Sequence, residues 1–283
     1  MNKMKYKDCY EKGIETLERA GIAEAKLDAR LLLEYLCGTD HSNLIAHPDR
    51  ELSDTEEKSY EELIVRRAQR EPVAYIMGAW EFMGLEFKVN SDVLIPEQDS
   101  EFLVEEVLRY CQDGMKILDL CTGSGCIGLS ILNFTNDTRA VCTDISKAAL
   151  NVAKENAGKL GLSERAEFIE TDLFPEKMEQ KADIIVSNPP YIRTDVIENL
   201  APEVKDHEPR LALDGDADGL KFYRRIVAKA PEYLFTSGYL IMEIGYDQAG
   251  EVTALLESAG CYHDIQVIKD FSGNDRVVSA CYY

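Results

Sequence analysis

The sequence predicts a doubly wound α/β sheet, mostly parallel with an antiparallel edge, behind a small helical segment. Three observations carry this reading. From Lys116 onward, short apolar strands alternate with amphipathic helices. A glycine-rich turn follows the first of those strands, where such sheets place their ligands. The last two strands are separated only by the turn Ser272-Gly-Asn-Asp275, too short for a crossover, so they pair antiparallel.

The elements follow in order. Lys5 to Ala20 is amphipathic and closes at Gly21, and Glu24 to Cys37 closes at Gly38. Ser53-Asp-Thr-Glu56 has the spacing of a capping box and opens a helix to about Gln69, which Glu71-Pro72 ends. Residues 74–95 alternate apolar and polar around turn glycines, which predicts a β-hairpin linker. A helix spans about Ser100 to Tyr110. Strands are expected at 116–120, 139–143, 166–170, 182–186, 239–244, 262–269 and 276–282. Helices are expected after the glycine turn and near 148–160, 219–235 and 248–259. The expected division is a helical domain at 1–73, a hairpin linker at 74–95 and an α/β domain at 96–283.

Composition excludes several classes. The net charge of −21 over 283 residues divides as −5 in residues 1–90 and −16 in the remainder, so neither part resembles a grip on nucleic-acid phosphates. No apolar run reaches the length of a membrane span, and the lysines of the first ten residues precede no apolar stretch, so no signal peptide is expected. Eight cysteines form no Cys-x-x-Cys pair and only four histidines accompany them, which argues against zinc. Reduced thiols in the cytoplasm, a monomer and no metal are the expectations.

The first candidate site is Ile117-Leu-Asp-Leu-Cys-Thr-Gly-Ser-Gly-Cys-Ile-Gly128, a strand, a turn and a helix start. Gly123, Gly125 and Gly128 match Gly-x-Gly-x-x-Gly, and Asp144 follows at the spacing of a ribose-binding carboxylate. The pattern alone admits a dinucleotide or another adenosine ligand. Asp119 lies inside the strand, where it can hold the turn's amides or meet a cationic end of a ligand. Asp172 ends the third strand and can meet an adenine amino group, with Leu173 packed on the ring. Three acids at successive strand ends suit a neutral or cationic nucleoside such as S-adenosylmethionine better than a pyrophosphate. The residues read in this way as cofactor candidates are Asp119, Gly123, Gly125, Asp144, Asp172 and Leu173.

The second candidate site is Ser187-Asn-Pro-Pro-Tyr191 at the carboxyl end of a buried strand. The Asn188 side-chain oxygen and the Pro189 carbonyl can both accept from one NH2 group, while Pro190 stiffens the loop and Tyr191 offers a stacking face. This suits methylation of an amide or aromatic amine nitrogen. Fixed acceptors favour sp3 character at a delocalised nitrogen and stabilise the positive charge that develops there, and alignment supplies the rest. Asn188, Pro189, Pro190 and Tyr191 are therefore the candidate catalytic and substrate-binding residues.

The whole set resembles the HemK/PrmC-type peptide chain release factor glutamine methyltransferases over nearly the full chain. The matching stretches are Arg67-Ala-Gln-Arg-Glu-Pro-Val-Ala-Tyr-Ile-Met-Gly78, Glu81-Phe-Met-Gly-Leu-Glu-Phe87, Val93-Leu-Ile-Pro96, Asp119-Leu-Cys-Thr-Gly-Ser-Gly125, Ser187-Asn-Pro-Pro-Tyr191, Glu208-Pro-Arg-Leu-Ala-Leu213 with Asp218-Gly-Leu220, and Asp275-Arg-Val-Val278. Asn-Pro-Pro-Tyr alone is shared with DNA adenine methyltransferases, so an adenine N6-methyltransferase or a catalytically silent relative is the alternative. The resemblance implies a class I methyltransferase fold behind a substrate-docking helical domain, S-adenosylmethionine as cofactor, and a class I release factor as partner. The methyl acceptor it implies is the side-chain amide nitrogen of the glutamine in a Gly-Gly-Gln loop. Carried over by position, the resemblance implies that Cys121, Thr122, Gly123, Ser124, Gly125, Asp144 and Leu173 line the cofactor, that Asn188 borders it, and that Asn188, Pro189, Pro190 and Tyr191 hold the glutamine amide. Two positions depart from the family pattern. Ile95-Pro-Glu-Gln-Asp-Ser-Glu101 stands where relatives read Ile-Pro-Arg-Pro-Asp-Thr-Glu, and Cys121 replaces a glycine.

Arg210 has a functional reading, in which it steadies the Asn-Pro-Pro-Tyr loop or meets the substrate backbone, and a plainer one, a surface ion pair with an acid among Asp206–Asp218. Arg66, Arg67 and Arg70 read as a solvated helix end.

Overall fold

The computed structural model describes residues 4–283. Its first helices obey the punctuation in the sequence. They are α1 (Tyr6–Arg19), α2 (Ala25–Cys37), α3 (His41–Ala46), α4 (Asp54–Ala68) and α5 (Val73–Met77). Gly38 caps α2 in the left-handed region at φ 57°. Ser53 caps α4 reciprocally: its hydroxyl accepts from Glu56 N at 3.2 Å, and its own N–H donates to Glu56 Oε2 at 2.7 Å. These helices form one compact unit that runs to Ala79 and takes in Ala201–His207. The second unit comprises Trp80–Leu200 and Glu208–Tyr283.

The arginines read as a solvated helix end include one that is buried. Arg67 is 7% exposed; its Nε donates to Asp28 Oδ2 at 2.6 Å and its Nη2 to Glu203 Oε1 at 3.0 Å. Its partners lie 39 and 136 residues away, beyond the reach of local pattern reading.

The stretch expected as a hairpin linker begins instead with α5, which closes on Gly78 at φ 72°. The hairpin itself is β1 (Ala79–Phe82) and β2 (Leu85–Lys88), turned at Met83 and Gly84, both with positive φ as a two-residue hairpin requires. From Trp80 onward it belongs to the second unit. Lys88 N donates to Asn156 Oδ1 at 2.7 Å, while Asn156 Nδ2 donates to Ser124 O at 2.9 Å, so one buried amide ties the hairpin to the glycine turn.

The main sheet contains β3 (Lys116–Leu120), β4 (Arg139–Asp144), β5 (Ala166–Glu170), β6 (Ala182–Ser187), β7 (Leu234–Glu243), β8 (Tyr262–Lys269) and β9 (Asp275–Tyr282). Their order is β5-β4-β3-β6-β7-β9-β8. The first five pair in parallel; β9 runs antiparallel to both β7 and β8. β7 starts five residues before the expected Tyr239, with an irregular register against β6 and a left-handed Ser237.

Alternation along β3 divides the core. Ile117 packs with α6 (Glu101–Tyr110), α7 (Cys126–Phe134), α8 (Lys147–Lys159) and the hairpin. Leu118 and Leu120 pack on the other face. The helices α9 (Thr194–Ile197), α10 (Pro202–Lys205) and α11 (Arg210–Leu213) are single turns after β6. α12 (Lys221–Lys229) and α13 (Ala249–Ala259) cover the second face. α12 is shorter than expected because Pro231 converts its end to a 3-10 turn at Ala230–Glu232. The result is a doubly wound, mostly parallel sheet with an antiparallel edge, preceded in the sequence by the helical unit. Among the described residues no helix is long and apolar enough to cross a membrane.

Candidate active site

A cavity of about 330 Å3 opens at the carboxyl ends of β3, β4, β5 and β6, the position an open α/β sheet reserves for ligands. Its floor is the turn after β3. The chain bends there through left-handed residues, Cys121 at φ 59°, Gly123 at 55° and Gly125 at 81°. A β-carbon on Gly125 would lie 3.0 Å from Leu129 Cδ1 and 3.2 Å from Ala153 Cβ, so α7 can start here only from a glycine. Cys121 carries a side chain at the first left-handed position and still lines the cavity, together with Thr122, Gly123 and Ser124.

Asp119 lies apart from the lining. It is fully buried, and its Oδ2 accepts from the Thr122 hydroxyl and from Gly128 N at 3.2 Å. Burial pushes its pKa up to about 7 against those two donors. Of the two roles the sequence allowed, the structure places it in the first: it holds the turn. Alternation is the reason, since Asp119 shares the face of Ile117, under α7, and does not project past the strand end.

Asp144 does line the cavity. Its Oδ2 accepts from Gly123 N at 2.9 Å and its Oδ1 from Ser146 N at 2.8 Å. Each oxygen keeps accepting capacity for a vicinal diol. Asp172 lines the cavity too, and Arg225 Nη2 donates to its Oδ2 at 2.8 Å. Leu173 is buried beside it in the left-handed region at φ 69°, its carbonyl bonded by the Thr143 hydroxyl at 2.7 Å.

At the end of β6, Asn188 and Pro190 line the cavity, while Pro189 and Tyr191 are outside its lining. Tyr191 does not present a stacking face there. Its hydroxyl donates to Glu243 Oε1 at 3.2 Å, its carbonyl accepts from Gln248 Nε2 at 3.1 Å, and its ring abuts Gly245. A residue at the fourth position of the loop has already turned back into the sheet, so its aromatic area goes to the core. Gly219 explains the Asp-Gly-Leu match, because a β-carbon there would fall 2.4 Å from the Tyr191 carbonyl. Arg210 is exposed and outside the lining; it pairs with Glu198 at 3.0 Å and Asp214 at 3.5 Å, the surface reading. Its neighbours Leu211 and Ala212 take the inward positions of α11.

Several lining or supporting residues have no local motif. Ser100, from the segment before α6, accepts from Asn188 Nδ2 at 3.2 Å. Glu97 stands at the mouth, reached by water on one side yet crowded by protein on the other, and burial of its carboxyl raises its pKa against the pull of Arg276. Burial also lifts Glu208 to about 7, opposed by the Ile95 N–H and aided by Glu97. Phe222 and Arg225 arrive from α12. One signal was present in the sequence: Glu243 lies inside the apolar run Ile241-Met-Glu-Ile244, as Asp119 lies inside its own strand.

The donor set fits S-adenosylmethionine. Four carboxylates, Asp92, Glu97, Asp144 and Asp172, line the cavity against two cations, Lys221 and Arg225. That balance favours a cationic ligand and opposes a pyrophosphate. The volume falls in the range of about 300–1,000 Å3 usual for small-molecule sites. Asp144 and Leu173 both line this cavity.

Comparison with known proteins agrees with this geometry. The family model described as the PrmC N-terminal domain matches residues 8–78, and that of the methyltransferase small domain matches residues 96–204. A release factor glutamine methyltransferase from Clostridium botulinum is 41% identical over 98% of this chain and 99% of its own. One from Clostridium acetobutylicum is 42% identical over 98% of each. Among solved structures, a methyltransferase from Pyrococcus furiosus superposes with a TM-score of 0.52 at 14% identity, covering 71% of this chain and 90% of its own, a likeness of fold. With identity of this level over nearly its whole length, and with both family models in sequence order, the chain belongs to the release factor glutamine methyltransferase family.

Proposed function

We propose that this enzyme transfers a methyl group from S-adenosylmethionine to the side-chain amide nitrogen of the glutamine in the Gly-Gly-Gln loop of class I release factors. The observation that carries the reading is the placement of Asn188. It stands at the carboxyl end of β6, lining the same cavity as Asp144 and the glycine turn. Bound S-adenosylmethionine supplies an activated methyl on a sulfonium. The chain's own residues do the rest. Asp144 and Leu173 orient the nucleoside, with Cys121, Thr122, Gly123 and Ser124 beneath it. Asn188 Oδ1 and the Pro189 carbonyl accept from the glutamine NH2 group, and Pro190 keeps the loop stiff. A planar amide nitrogen is a poor nucleophile, and two fixed acceptors stabilise the charge that grows on it as the methyl arrives.

The helical unit is, on this reading, the docking element for the release factor. The eight cysteines are free thiols, which suits the reducing cytoplasm in which we place the enzyme. The acidic lining supports a protein substrate over a nucleic acid. The test is mass spectrometry of a purified release factor incubated with the enzyme and S-adenosylmethionine. One added methyl on the Gly-Gly-Gln glutamine is expected. No added methyl, with cofactor binding intact, would remove this substrate assignment.

A further inference from the structure

An asparagine side chain is an acceptor at one end and a donor at the other, nearly identical in shape. If its amide turned over, Asn188 would offer the incoming NH2 group two more hydrogens in place of a lone pair. Something in the fold must therefore choose the orientation.

The local hydrogen bonds make that choice. Asn188 Nδ2 donates to Ser100 Oγ at 3.2 Å, which leaves Oδ1 for the cavity that both residues line. Behind them stands Glu243, last residue of β7 and 1% exposed. Its Oε1 accepts from the Tyr191 hydroxyl at 3.2 Å. Its Oε2 is buried with no hydrogen-bond partner. The Ser100 hydroxyl, acting as a donor, favours the ionised form of this carboxyl.

We propose that Ser100 and Glu243 are positioning residues for methyl transfer. Ser100 Oγ accepts from Asn188 Nδ2, its hydroxyl proton can turn to the otherwise unpartnered Oε2 of ionised Glu243, and Asn188 Oδ1 is left to face the methyl-accepting nitrogen. The same carboxylate holds Tyr191, so one buried group fixes both ends of the Asn-Pro-Pro-Tyr loop. When Glu243 is protonated it no longer needs the Ser100 proton; Ser100 can then donate to Asn188 Oδ1, and the amide turns its donor toward the cavity.

The surroundings place this switch near neutrality. Burial lifts the Glu243 pKa to about 7, opposed by the Ser100 and Tyr191 hydroxyls. Glu97 pushes it up and Arg276 pulls it down. Arg276 is itself shared with Asp99 at 2.8 Å and Asp270 at 3.1 Å, and Glu208 lies close enough to Glu97 to feel its charge. The Tyr223 hydroxyl donates to the main-chain carbonyl of Glu243 at 2.9 Å and leaves the carboxyl alone. The buried Cys126 thiol also feels the Glu243 charge.

The inference rests on the proposed amide methylation, so the experiment has two arms. In the first, kcat and the KM for S-adenosylmethionine are followed against pH with a release factor as acceptor. Ser100→Ala is expected to lower kcat about tenfold, the worth of one lost hydrogen bond, while the cofactor KM stays within about twofold. Ser100→Thr keeps the hydroxyl and restores the rate. Glu243→Gln lowers kcat and removes the acid limb near pH 7, and Glu97→Gln moves that limb to lower pH. Wild-type kcat in Ser100→Ala would overturn the proposal. In the second arm, the Asn188 side-chain amide resonance of the cofactor-saturated enzyme is followed by NMR with no acceptor present. It should titrate between about pH 5.5 and about pH 8.5 in the wild type and stay flat in Glu243→Gln. A flat wild-type signal would overturn the proposal even if the release factor proved not to be the substrate. A titrating signal would sustain it independently of that assignment.

Discussion

The main-chain N–H of Gly123 donates to Asp144 Oδ2 at 2.9 Å, so the acid that ends the second parallel strand braces the glycine turn that ends the first. The expected cofactor carboxylate is therefore also part of the scaffold of the site. Replacing it removes a charge-assisted acceptor worth about 1.5–3 kcal/mol. Asp144→Ala should weaken S-adenosylmethionine binding by roughly tenfold to a hundredfold in calorimetric titration. Unchanged affinity would separate Asp144 from the ribose.

Asn188 should show the opposite profile. Its side chain has little to hold in the ground state and one acceptor to offer as charge develops. Asn188→Ala is expected to cost about 2–4 kcal/mol in the transition state, read as kcat, with cofactor affinity nearly unchanged. A mutant that turns over at the wild-type rate would disprove the role given to Asn188.

Gly128 is helical, and alanine in a helix ordinarily gains up to about 1 kcal/mol over glycine. Here the sign should reverse. A β-carbon would lie 2.8 Å from Asp119 Oδ2 and 3.1 Å from Cys142 Sγ, both fully buried. Gly128→Ala should lose about 1–3 kcal/mol of stability in denaturant unfolding, because the carboxylate that holds the turn must move. A stabilised variant would show that Asp119 can shift freely.

The helical unit offers a test of buried charge. Asp28 is held by Arg67, and burial raises the Asp28 pKa against that partner. Arg67→Ala strands the carboxylate and should cost about 3–5 kcal/mol in urea unfolding, with a smaller loss when Asp28→Ala is added. Equal losses in the single and double variants would mean that the pair does not act as a unit.

Stability should also fall as pH rises through neutrality. Asp119, Glu208 and Glu243 are each lifted to about 7, above their ordinary values of 3.8 and 4.5. The native state then binds these protons more tightly than the unfolded chain. What they contribute is complete below the unfolded pKa and is lost as pH climbs through the folded one. Asp218, lowered to about 2, acts only at more acidic pH. The melting temperature should drop between about pH 5 and about pH 8, and Glu208→Gln should reduce the drop. A rising melting temperature over that interval would contradict the assignment.

Much of this was legible before the fold was known. The alternation of strands and helices, the capping box at Ser53 and the glycine turn are local patterns, and local patterns are what dihedral preference and side-chain period write into a sequence. Asp144, Leu173 and Asn188 could be named for the same reason: each lies at or within three residues of the carboxyl end of a strand, so its position along the chain sets its place at the cavity. Cys121 shows where local reasoning stops short, since only the backbone angle of φ 59° shows that a side chain occupies a left-handed position.

Other assignments depended on distance in sequence. The pairing of Arg67 with Glu203, of Ser100 with Asn188 and of Tyr191 with Glu243 joins residues 136, 88 and 52 positions apart. No periodicity links such pairs, because a side chain's partner is decided by which elements the sheet order brings together. The same reason decided Asp119, Arg210 and Tyr191. Their residue types permitted a place in the cavity; the strand face, the turn of α11 and the return of the loop into the core directed them elsewhere. The sequence by itself determined the fold class and the strand ends that line the cavity. Only the tertiary structure decided which side chains face the cavity and which hold the others in place, because that depends on packing between elements far apart in the chain.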